Sequence, residues 1–534
     1  MNDDNAKISW IPALAATAGM VLVTMDIFMK PVAKTALKNE FGVDAAAVQA
    51  AISIFAIIYG GLCILGGKLG DMHGKKKIYV IGLALYGLSA LVTTLAPTFT
   101  FVFLGFSIIR GLAAALAIPA SVSLIIAYYT DDAQRAKAFS IYGVGASLAG
   151  LAAPLLMGYM ADNVSWRVPF GLEVVIATIG IFLTLKTKET QTIKAKLDWQ
   201  GIFLTFVAIT AVILAGMLGS RYGWWDARRP FELVGVPINP LNLAPSALLY
   251  GISILFGVLL LNHISRSEEK GRPALFSLKL FENGAFSVSS AMALLFYMLV
   301  GALPFIVPIF LQDAVSFSAS MTGMVMTAFM IGSIASGMSS GFLIHKMQAR
   351  TLMQISMVLC AAGMLWLLPA SSPTMKTATV LLPMIVIGLG FGTVTTQIGN
   401  IQLSTLSPEL QGGASGFAEM MKEIGVGLGT AVIGSIMFTI AIGGMVDRVA
   451  LQVNEELSPT ERTELIMQVE DSAVPDAVDK IVQEKVPNFD ALNQAAYVDA
   501  FKTTMGVLIA LILGALFVVS FLPKVEVQAG AGHH

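Results

Sequence analysis

Fourteen long apolar segments run through this chain of 534 residues and constrain its fold more than any other feature. The hydrocarbon core of a bilayer is about 30 Å thick, and a helix needs about 20 apolar residues to cross it. Lipid offers no hydrogen-bond partner to exposed backbone groups, so each segment is expected to be helical. The sequence therefore predicts an all-α membrane protein whose fourteen transmembrane helices lie within 9–37, 46–66, 78–96, 101–128, 138–161, 168–186, 200–218, 244–264, 285–311, 321–344, 352–370, 378–402, 413–440 and 504–522.

The composition agrees with a membrane protein and argues against a soluble enzyme. Hydrophobic residues make up 56% of the chain, charged residues only 13%, and the mean hydropathy is +0.77, whereas a soluble domain carries about 25% charged residues. A net charge of -1 gives no field that would attract nucleic acid. Cys63 and Cys360 lie in apolar segments without metal-ligand spacing, and no small-residue cleavage site follows the first segment. We therefore expect no disulfide framework, no metal site and no cleavable signal peptide.

The distribution of lysine and arginine predicts the orientation of the chain. With both termini in the cytoplasm, the cytoplasmic loops hold basic clusters at 75–77, 186–196 and 266–279, and the short outer loops hold fewer basic residues. Cytoplasmic loops of membrane proteins carry such an excess. We expect a multi-pass protein of the cytoplasmic (inner) membrane with both termini inside.

One outer segment, residues 446–500, is long, polar and strongly acidic. Ser458 and Glu461 have the spacing of a helix capping box, and Pro459 stands at the first helical position. These signals predict a short helical hairpin. It is either a solvated cap or a functional surface: a lid over the outer vestibule, or a docking site for a periplasmic adaptor.

Ionisable residues inside the predicted spans are the candidate functional residues, because a charge in lipid is costly and marks a functional site by default. The first span contains Asp26, Lys30 and Lys34 at intervals of four residues, which places them on one helical face. The remaining intramembrane charges are Arg110 in the fourth span, Glu173 near the outer end of the sixth, and Glu419, Lys422 and Glu423 in the thirteenth.

These charges suggest a proton switch. A carboxyl group in a low-dielectric site holds a proton more readily, and a mobile basic neighbour can expel it. Asp26 with Arg110 or Lys30 is one candidate pair, and the acids of the thirteenth span with Lys422 form another. Static ion pairs that fix helix register are the alternative for both groups, and a place at the membrane boundary is the alternative for Glu173. A sodium ion would use the same carboxylates.

Several short motifs occur in order from about residue 15 to residue 523. The loop after the second span reads GKLGDMHGKKK from Gly67 to Lys77. Other motifs are TMD at 24–26, WRVPF at 166–170, LDWQG at 197–201, PIFLQ at 308–312 followed by Gly323, GLGFG at 388–392, and GGASGF at 412–417. Taken together, these motifs resemble those of the major facilitator superfamily, specifically its fourteen-span drug:H+ antiporter branch.

This resemblance implies the major facilitator fold: two six-helix bundles in 1–186 and 285–534, two inserted linker helices in 187–284, and an extracytoplasmic insert at 441–503. It implies transport by alternating access, with the substrate bound between the bundles near mid-membrane. The partners would be membrane lipid, protons and a small amphiphilic substrate, and no cofactor is needed beyond the proton gradient. The resemblance also implies a role in the conformational change for the residues of two family motifs: Gly67, Gly70, Asp71, Gly74, Lys75, Pro154 and Gly158.

The candidate site residues combine the intramembrane charges with this resemblance. Proton coupling is assigned to Asp26, Arg110, Glu419 and Glu423. Substrate binding is assigned to Asp26, Lys30, Glu173, Glu419, Lys422 and Glu423.

The chain departs from the family pattern at informative positions. The fourth-span arginine usually lies four residues before the motif glycine, which here is Gly111, but that position is Ser107 and the arginine is Arg110. The glycine-rich antiporter motif of the fifth span is reduced to Pro154 and Gly158, and small residues replace some of its other glycines. Both departures bear on the coupling route and on the direction of transport.

The favoured function is a proton-coupled antiporter that exports drugs or toxic amphiphiles. The acids Asp26, Glu419 and Glu423 favour lipophilic cations, whereas the lysines and Arg110 favour an anionic metabolite or lipid, carried by an exporter or a symporter. The inner-membrane component of a larger efflux assembly is a further alternative. No nucleophile–base pattern, HExxH, GxSxG or P-loop motif is present in the sequence, so we expect no enzymatic activity.

Overall fold

We describe the protein from a computed structural model. The structure describes residues 9–43, 45–190, 192, 196–229, 231–233, 236–237, 242–344, 346–404, 406, 408–453, 456–471, 486 and 488–523. Within these residues, fourteen helices are long and apolar enough to cross a membrane, as the sequence predicted. We number them spans 1 to 14: Ile11–Val32, Ala46–His73, Lys75–Thr94, Phe99–Tyr128, Lys137–Asn163, Arg167–Leu185, Trp199–Tyr222, Pro245–Glu269, Gly284–Ala314, Ala319–Leu343, Ala349–Ala370, Thr377–Gln402, Gly413–Gln452 and Phe489–Val519.

The first predicted span does not continue as one helix to residue 37. It ends at Val32, and a second helix, Lys34–Phe41, follows after Ala33. Pro31 lies at this junction, and a proline has no N–H with which to continue the backbone ladder. Lys34 thus opens the second helix, and its side chain pairs with Asp313 of span 9.

Spans 13 and 14 reach further into the insert at 441–503 than predicted, since span 13 ends at Gln452 and span 14 begins at Phe489. Hydropathy marks only the apolar part of a helix, whereas the backbone ladder continues into solvent. The insert also contains the helix Pro459–Asp471, in which Ser458 N donates to Glu461 Oε2 (2.9 Å) and Glu461 N to Ser458 Oγ (3.3 Å). The predicted capping box is therefore confirmed. Any second arm of the hairpin within 472–485 lies outside the described residues.

The remaining short elements lie between the spans or interrupt them. The strands Glu232–Leu233 and Val236–Pro237 pair antiparallel, and the 3₁₀ helix Leu278–Glu282 precedes span 9. Three π-helical segments, Leu104–Ile109, Phe310–Ala314 and Gly429–Ile433, interrupt spans 4, 9 and 13. Such segments are rare and often lie at functional sites.

The helices form two six-helix bundles with two inserted helices. Spans 1 to 6 pack with one another, as do spans 9 to 14. Spans 7 and 8 pack together, and span 7 also touches spans 2 and 13. Only 11% of the apolar window of span 8 is buried, so most of its surface faces lipid.

The two bundles meet where span 5 packs on span 10 and span 2 packs on span 13. Along the first of these contacts the backbones approach closely at two glycines. A Cβ on Gly158 would overlap the carbonyl of Ala319, and a Cβ on Gly323 would overlap that of Pro154. The remnant of the fifth-span motif therefore lies at the interface between the bundles, where small residues allow close helix packing.

Candidate functional site

Arg110 on span 4 forms the centre of a buried charge cluster in the first bundle. Its Nη1 contacts Asp26 Oδ1 on span 1, and its Nη2 lies 2.9 Å from Glu173 Oε2 on span 6. The side chains of Arg110 and Glu173 have no exposed surface, and that of Asp26 is 1% exposed. Buried charges persist only when they are paired, so this cation and two anions connect three spans at the core of the bundle.

Polar groups of span 3 complete the partners of this cluster. Tyr86 OH donates to Asp26 Oδ2, and Arg110 Nε donates to Ser89 Oγ at 2.8 Å. The guanidinium carbon of Arg110 also lies 5.2 Å from the Tyr86 ring centre and 5.5 Å from that of Phe170. Cation–π contacts of this kind favour a cation away from water. Phe170, the last residue of the WRVPF motif, thus forms one wall of the cluster.

Lys30 adds a second cation next to Asp26. Its Nζ lies 3.7 Å from Asp26 Oδ1 and donates to the Phe106 carbonyl at 3.0 Å. The ammonium also lies 4.4 Å from the centre of the Phe55 ring on span 2. The predicted pairing of Asp26 with Lys30 is present, and so is the pairing with Arg110, so the two basic residues share one carboxylate.

The π segment Leu104–Ile109 ends directly before Arg110. An α-helix turns about 100° per residue, and the wider π turn changes which residues face the bundle core beyond it. Ser107 holds the usual position of the family arginine, and its hydroxyl donates to the Phe103 carbonyl four residues earlier. The π segment thus directly precedes Arg110, which lies three residues after the usual position of the family arginine. From this position Arg110 still contacts Asp26 on span 1.

Glu173 is buried inside the first bundle, between Arg110 and the rest of the charge cluster. It has no exposed surface, and neither carboxylate oxygen meets hydrogen-bond geometry with a described residue, although Arg110 Nη2 is 2.9 Å away. The short distance with poor alignment describes an ion pair rather than a hydrogen bond. A buried carboxyl group without a hydrogen bond is costly, which makes Glu173 the least satisfied member of the cluster.

A second group of charges lies on span 13. Lys422 Nζ is 2.5 Å from Glu419 Oε1 and 3.6 Å from Glu423 Oε1. Tyr59 on span 2 donates to Glu419 Oε1 at 2.7 Å, so this group connects the two bundles. Glu423 is the most buried of the three charged residues, with a side chain that is 6% exposed.

A cavity between the bundles brings the two groups to one space. Asp26 and Lys30 line it from the first bundle and Glu423 from the second, together with apolar side chains such as Phe55 and Phe305. Its volume of about 40 Å³ holds a few water molecules, whereas ligand pockets usually measure about 300–1,000 Å³. Glu173, Glu419 and Lys422 do not line this cavity, so of the predicted substrate-binding residues it unites Asp26, Lys30 and Glu423.

The bundles are tied together at the ends of spans 1, 5 and 9, opposite to the chain's N-terminus. Lys34 pairs with Asp313 in the π segment of span 9, and Thr35 Oγ1 donates to Gln312 Oε1 at 2.5 Å. Gln312 Nε2 in turn donates to the Val32 carbonyl at 3.1 Å. Asp162 of span 5 accepts a hydrogen bond of 2.7 Å from Ser320 N at the start of span 10. This structure is therefore closed on that side.

The conformational loop motif lies at the opposite end of the bundle. Gly74 adopts φ +101°, which favours glycine, and a Cβ there would overlap the carboxylate of Glu189. Glu189 accepts from the backbone N–H groups of Lys76 (3.1 Å) and Lys77 (3.2 Å) at the start of span 3. Asp71 pairs with Lys75 at 3.5 Å. Pairing of an acid with a helix N-terminus is favourable, so the motif joins spans 2 and 3 to the segment after span 6.

Sequence reasoning missed the uncharged and interfacial partners. Tyr59 and Tyr86 are fully buried tyrosines that bond to the functional acids, and a tyrosine in an apolar segment gives no signal of its own. Asp313 was also missed, although it directly follows the PIFLQ motif at the end of span 9. The available signal for Asp313 was its position directly after Gln312, the last residue of that motif.

The chain resembles proteins named as transporters. It is 25% identical to Multidrug resistance protein 3 of Bacillus subtilis, with 79% of this chain and 78% of that protein covered. It is also 25% identical to Puromycin resistance protein pur8 of Streptomyces alboniger, with 80% and 81% covered, and 26% identical to the MFS-type transporter EfpA of Mycobacterium tuberculosis, described as uncharacterized, with 82% and 79% covered.

Solved structures share the fold. A bacterial homolog of the human lysosomal transporter Spinster, in an inward-facing and unoccupied conformation, superposes with a TM-score of 0.59 at 15% identity and covers 97% of this chain and 98% of its own. The nucleoside transporter NupG gives 0.57 at 13% identity, with 95% and 100% covered. At these identities the likeness concerns the fold alone.

The family model described as Major Facilitator Superfamily matches residues 16–430, and the fourteen spans and the drug-resistance relatives agree with the multidrug efflux branch. The expectation that the chain is not an enzyme is confirmed by this membership. With its two six-helix bundles and their shared central cavity, the chain is a transporter that belongs to the Major Facilitator Superfamily.

Proposed function

We propose that this chain exports drugs or other toxic amphiphilic compounds across the cytoplasmic membrane in exchange for protons, by alternating access between its two bundles. The observation that carries the proposal is the buried cluster of Asp26, Lys30, Arg110 and Glu173, which borders the central cavity through Asp26 and Lys30. Ionisable groups at this depth are costly in a membrane protein and are kept for function. The relatives named for resistance to several drugs and to puromycin support the substrate class.

The cluster suggests how a proton is coupled to movement. Asp26 faces the cavity and holds both Arg110 and Lys30. A proton on Asp26 removes the negative charge that binds the two cations, so Glu173 is then the one charged partner of Arg110 among the described residues. Lys30 loses its acidic partner on the same helix and becomes free to turn into the cavity. Proton binding therefore changes the charge that a substrate meets.

Alternating access requires that the closed side opens. The ties of Lys34 to Asp313, of Thr35 to Gln312 and of Asp162 to the start of span 10 hold that side shut here. With both termini in the cytoplasm, as the basic loops predict, this side is the outer one. The structure then represents a state closed to the outside, and its small cavity must widen before a drug-sized compound enters.

Transport in inside-out vesicles with an imposed pH gradient tests the proposal. Wild type is expected to accumulate a lipophilic cation such as ethidium when the vesicle interior is acidic, and Asp26→Asn is expected to abolish the gradient-dependent part. Glu464→Gln, an exposed acid of the outer helix, is the matched control and should transport like wild type. Gradient-independent uptake by wild type, or full coupling in Asp26→Asn, contradicts the role of Asp26.

A second candidate is supported by Lys30, a cation on the cavity wall. In that case the substrate is an anionic metabolite or lipid, carried by an exporter or a symporter. The same vesicles distinguish the two with an anionic amphiphile such as a bile salt. Transport of the anion but not of ethidium, lost in Lys30→Gln, favours this candidate, and the sign of the gradient effect separates antiport from symport.

A further inference from the structure

A second and larger pocket lies at the ends of the two inserted helices, away from the central cavity. It is formed where span 7 begins and span 8 ends, with a volume of about 700 Å³. Leu259, His263 and Arg266 line it along one stripe of span 8, spaced by three or four residues as neighbours on a helical face are, and Lys270 lines it directly after the end of that helix. With the proposed topology, this end faces the cytoplasm.

The rim of this pocket is strongly basic. Lys196, Arg266, Lys270 and Arg272 line it, all four are exposed, and none forms an ion pair with a residue that the structure describes. Four unpaired cations around one concave space repel one another. They create a site that favours an anion.

The acids near this pocket already have other partners or do not line it. Asp198 is the one acid among the lining residues that the structure describes. It is 4% exposed, accepts from Gly201 N at 2.9 Å and lies 2.7 Å from His263 Nε2. Glu268 lies outside the lining and accepts from Ser277 Oγ and Leu278 N. Neither neutralises the rim.

The inner part of the pocket is apolar and opens toward the membrane. Leu204 and Leu259 line it, and Leu259 is 42% exposed. Leu259 continues into the lipid-facing surface of span 8, where Leu255 and Val258 are 54% and 51% exposed. Trp199, 64% exposed, stands at the pocket mouth, a position that tryptophan favours at the membrane–water interface.

We propose that this pocket binds the phosphate headgroup of an anionic phospholipid of the cytoplasmic leaflet, with one acyl chain along Leu259 of span 8. Arg266, Lys270 and Arg272 contact the phosphate, because basic pockets between transmembrane helices on this side select anionic headgroups. The lipid would fix the inserted hairpin, which has few protein contacts on span 8. The inference rests on the proposed orientation but not on the transported substrate or its coupling ion.

Native mass spectrometry of the purified chain, titrated with phosphatidylglycerol or phosphatidylcholine, tests this site. Wild type is expected to keep at least one phosphatidylglycerol under conditions that remove phosphatidylcholine. Arg266→Gln/Lys270→Gln is expected to weaken that binding about tenfold or more, since each basic residue near an anionic surface contributes substantially. Lys137→Gln/Lys346→Gln removes two exposed lysines elsewhere on the same side and is the matched control.

The outcomes separate the possible ligands. Soluble glycerol phosphate that displaces the lipid at micromolar concentration points to a free phosphate site, and the lipid assignment is then wrong. Equal binding of both lipids, or equal losses in the pocket variant and the control, overturns the proposal as well. Thermal unfolding of both variants in detergent verifies that each is folded. Loss of the lipid with normal ethidium transport leaves the transport proposal intact, so the two proposals fail separately.

Discussion

Arg110 Nη2 lies 2.9 Å from Glu173 Oε2, and neither side chain has exposed surface. The other nitrogen of the same guanidinium contacts Asp26. One cation therefore balances acids from two other spans. A planar guanidinium can do this because its nitrogens point in different directions, whereas an ammonium group is a single compact charge. Arg110 thus has a structural role in addition to any role in coupling.

Replacing Arg110 should destabilise the first bundle. Arg110→Ala leaves Glu173 with no described partner, and removing one member of a buried ion pair costs about 3–5 kcal/mol. We expect a clear loss of thermal stability in detergent, with a smaller loss for Arg110→Lys. Lys137→Ala, an exposed lysine, serves as the control. An Arg110→Ala protein that unfolds at the same temperature as this control contradicts the prediction.

The pair of Lys34 and Asp313 should hold the outer side closed. A partly exposed ion pair contributes about 1 kcal/mol, which corresponds to a roughly fivefold change in a two-state population. Both native cysteines are buried, so Val300→Cys on the cavity wall can be labelled with an impermeant maleimide against little background. Labelling from outside should rise about fivefold in Lys34→Ala and in Asp313→Ala.

The exchange Lys34→Asp/Asp313→Lys is the matched control for these variants. It restores the pair with reversed sign and should return labelling toward the wild-type level. If labelling stays high in the exchange variant while transport is normal, the two residues act separately rather than as a pair.

Glu40 should anchor the outer end of the first bundle across a wide pH range. Partial burial alone raises the pKa of Glu40, but hydrogen bonds from Trp166 Nε1 and Arg167 Nη1 outweigh it and hold the pKa below its usual value. A carboxylate with a lowered pKa contributes stability above its unfolded pKa of about 4.3, and this contribution disappears as the pH falls through the folded value. The difference in melting temperature between wild type and Glu40→Gln should therefore be constant from neutral pH to about pH 5.5 and shrink below about pH 4.3. A difference that already vanishes near neutral pH contradicts this assignment.

The LDWQG motif should act as a helix cap that also ties the inserted helices together. Asp198 caps span 7 through Gly201 N and contacts His263 on span 8, and a Cβ on Gly201 would overlap the Asp198 carboxylate. Asp198→Ala should cost about 1 kcal/mol, as for other N-caps, and Gly201→Ala should also destabilise. Because Asp198→Ala removes the overlap, the double variant should lose less than the sum of both single losses. Additive losses in thermal unfolding contradict the close contact.

The sequence by itself determined the number of spans, the presence of charged residues within them and the family. Each of these properties depends on local composition: about twenty apolar residues make a span, and a charge within them stands out without any knowledge of its neighbours. The capping box at Ser458 was predictable for the same reason, since both of its residues lie within one helical turn.

Only the tertiary structure decided the pairings of Lys34 and Glu173. Spacing placed Lys34 beside Lys30, but its partner is Asp313, 279 residues away in the chain. Glu173 reaches Arg110 only because spans 4 and 6 are brought together in the first bundle. Arg110 also follows a π segment, which the periodicity of the sequence does not predict. Helical periodicity tells which residues share a face, whereas the partner of that face depends on packing between helices distant in sequence. Pairing between helices therefore follows from the assembled fold, whereas spacing along the chain indicates only pairs within one helix, such as Asp26 with Lys30.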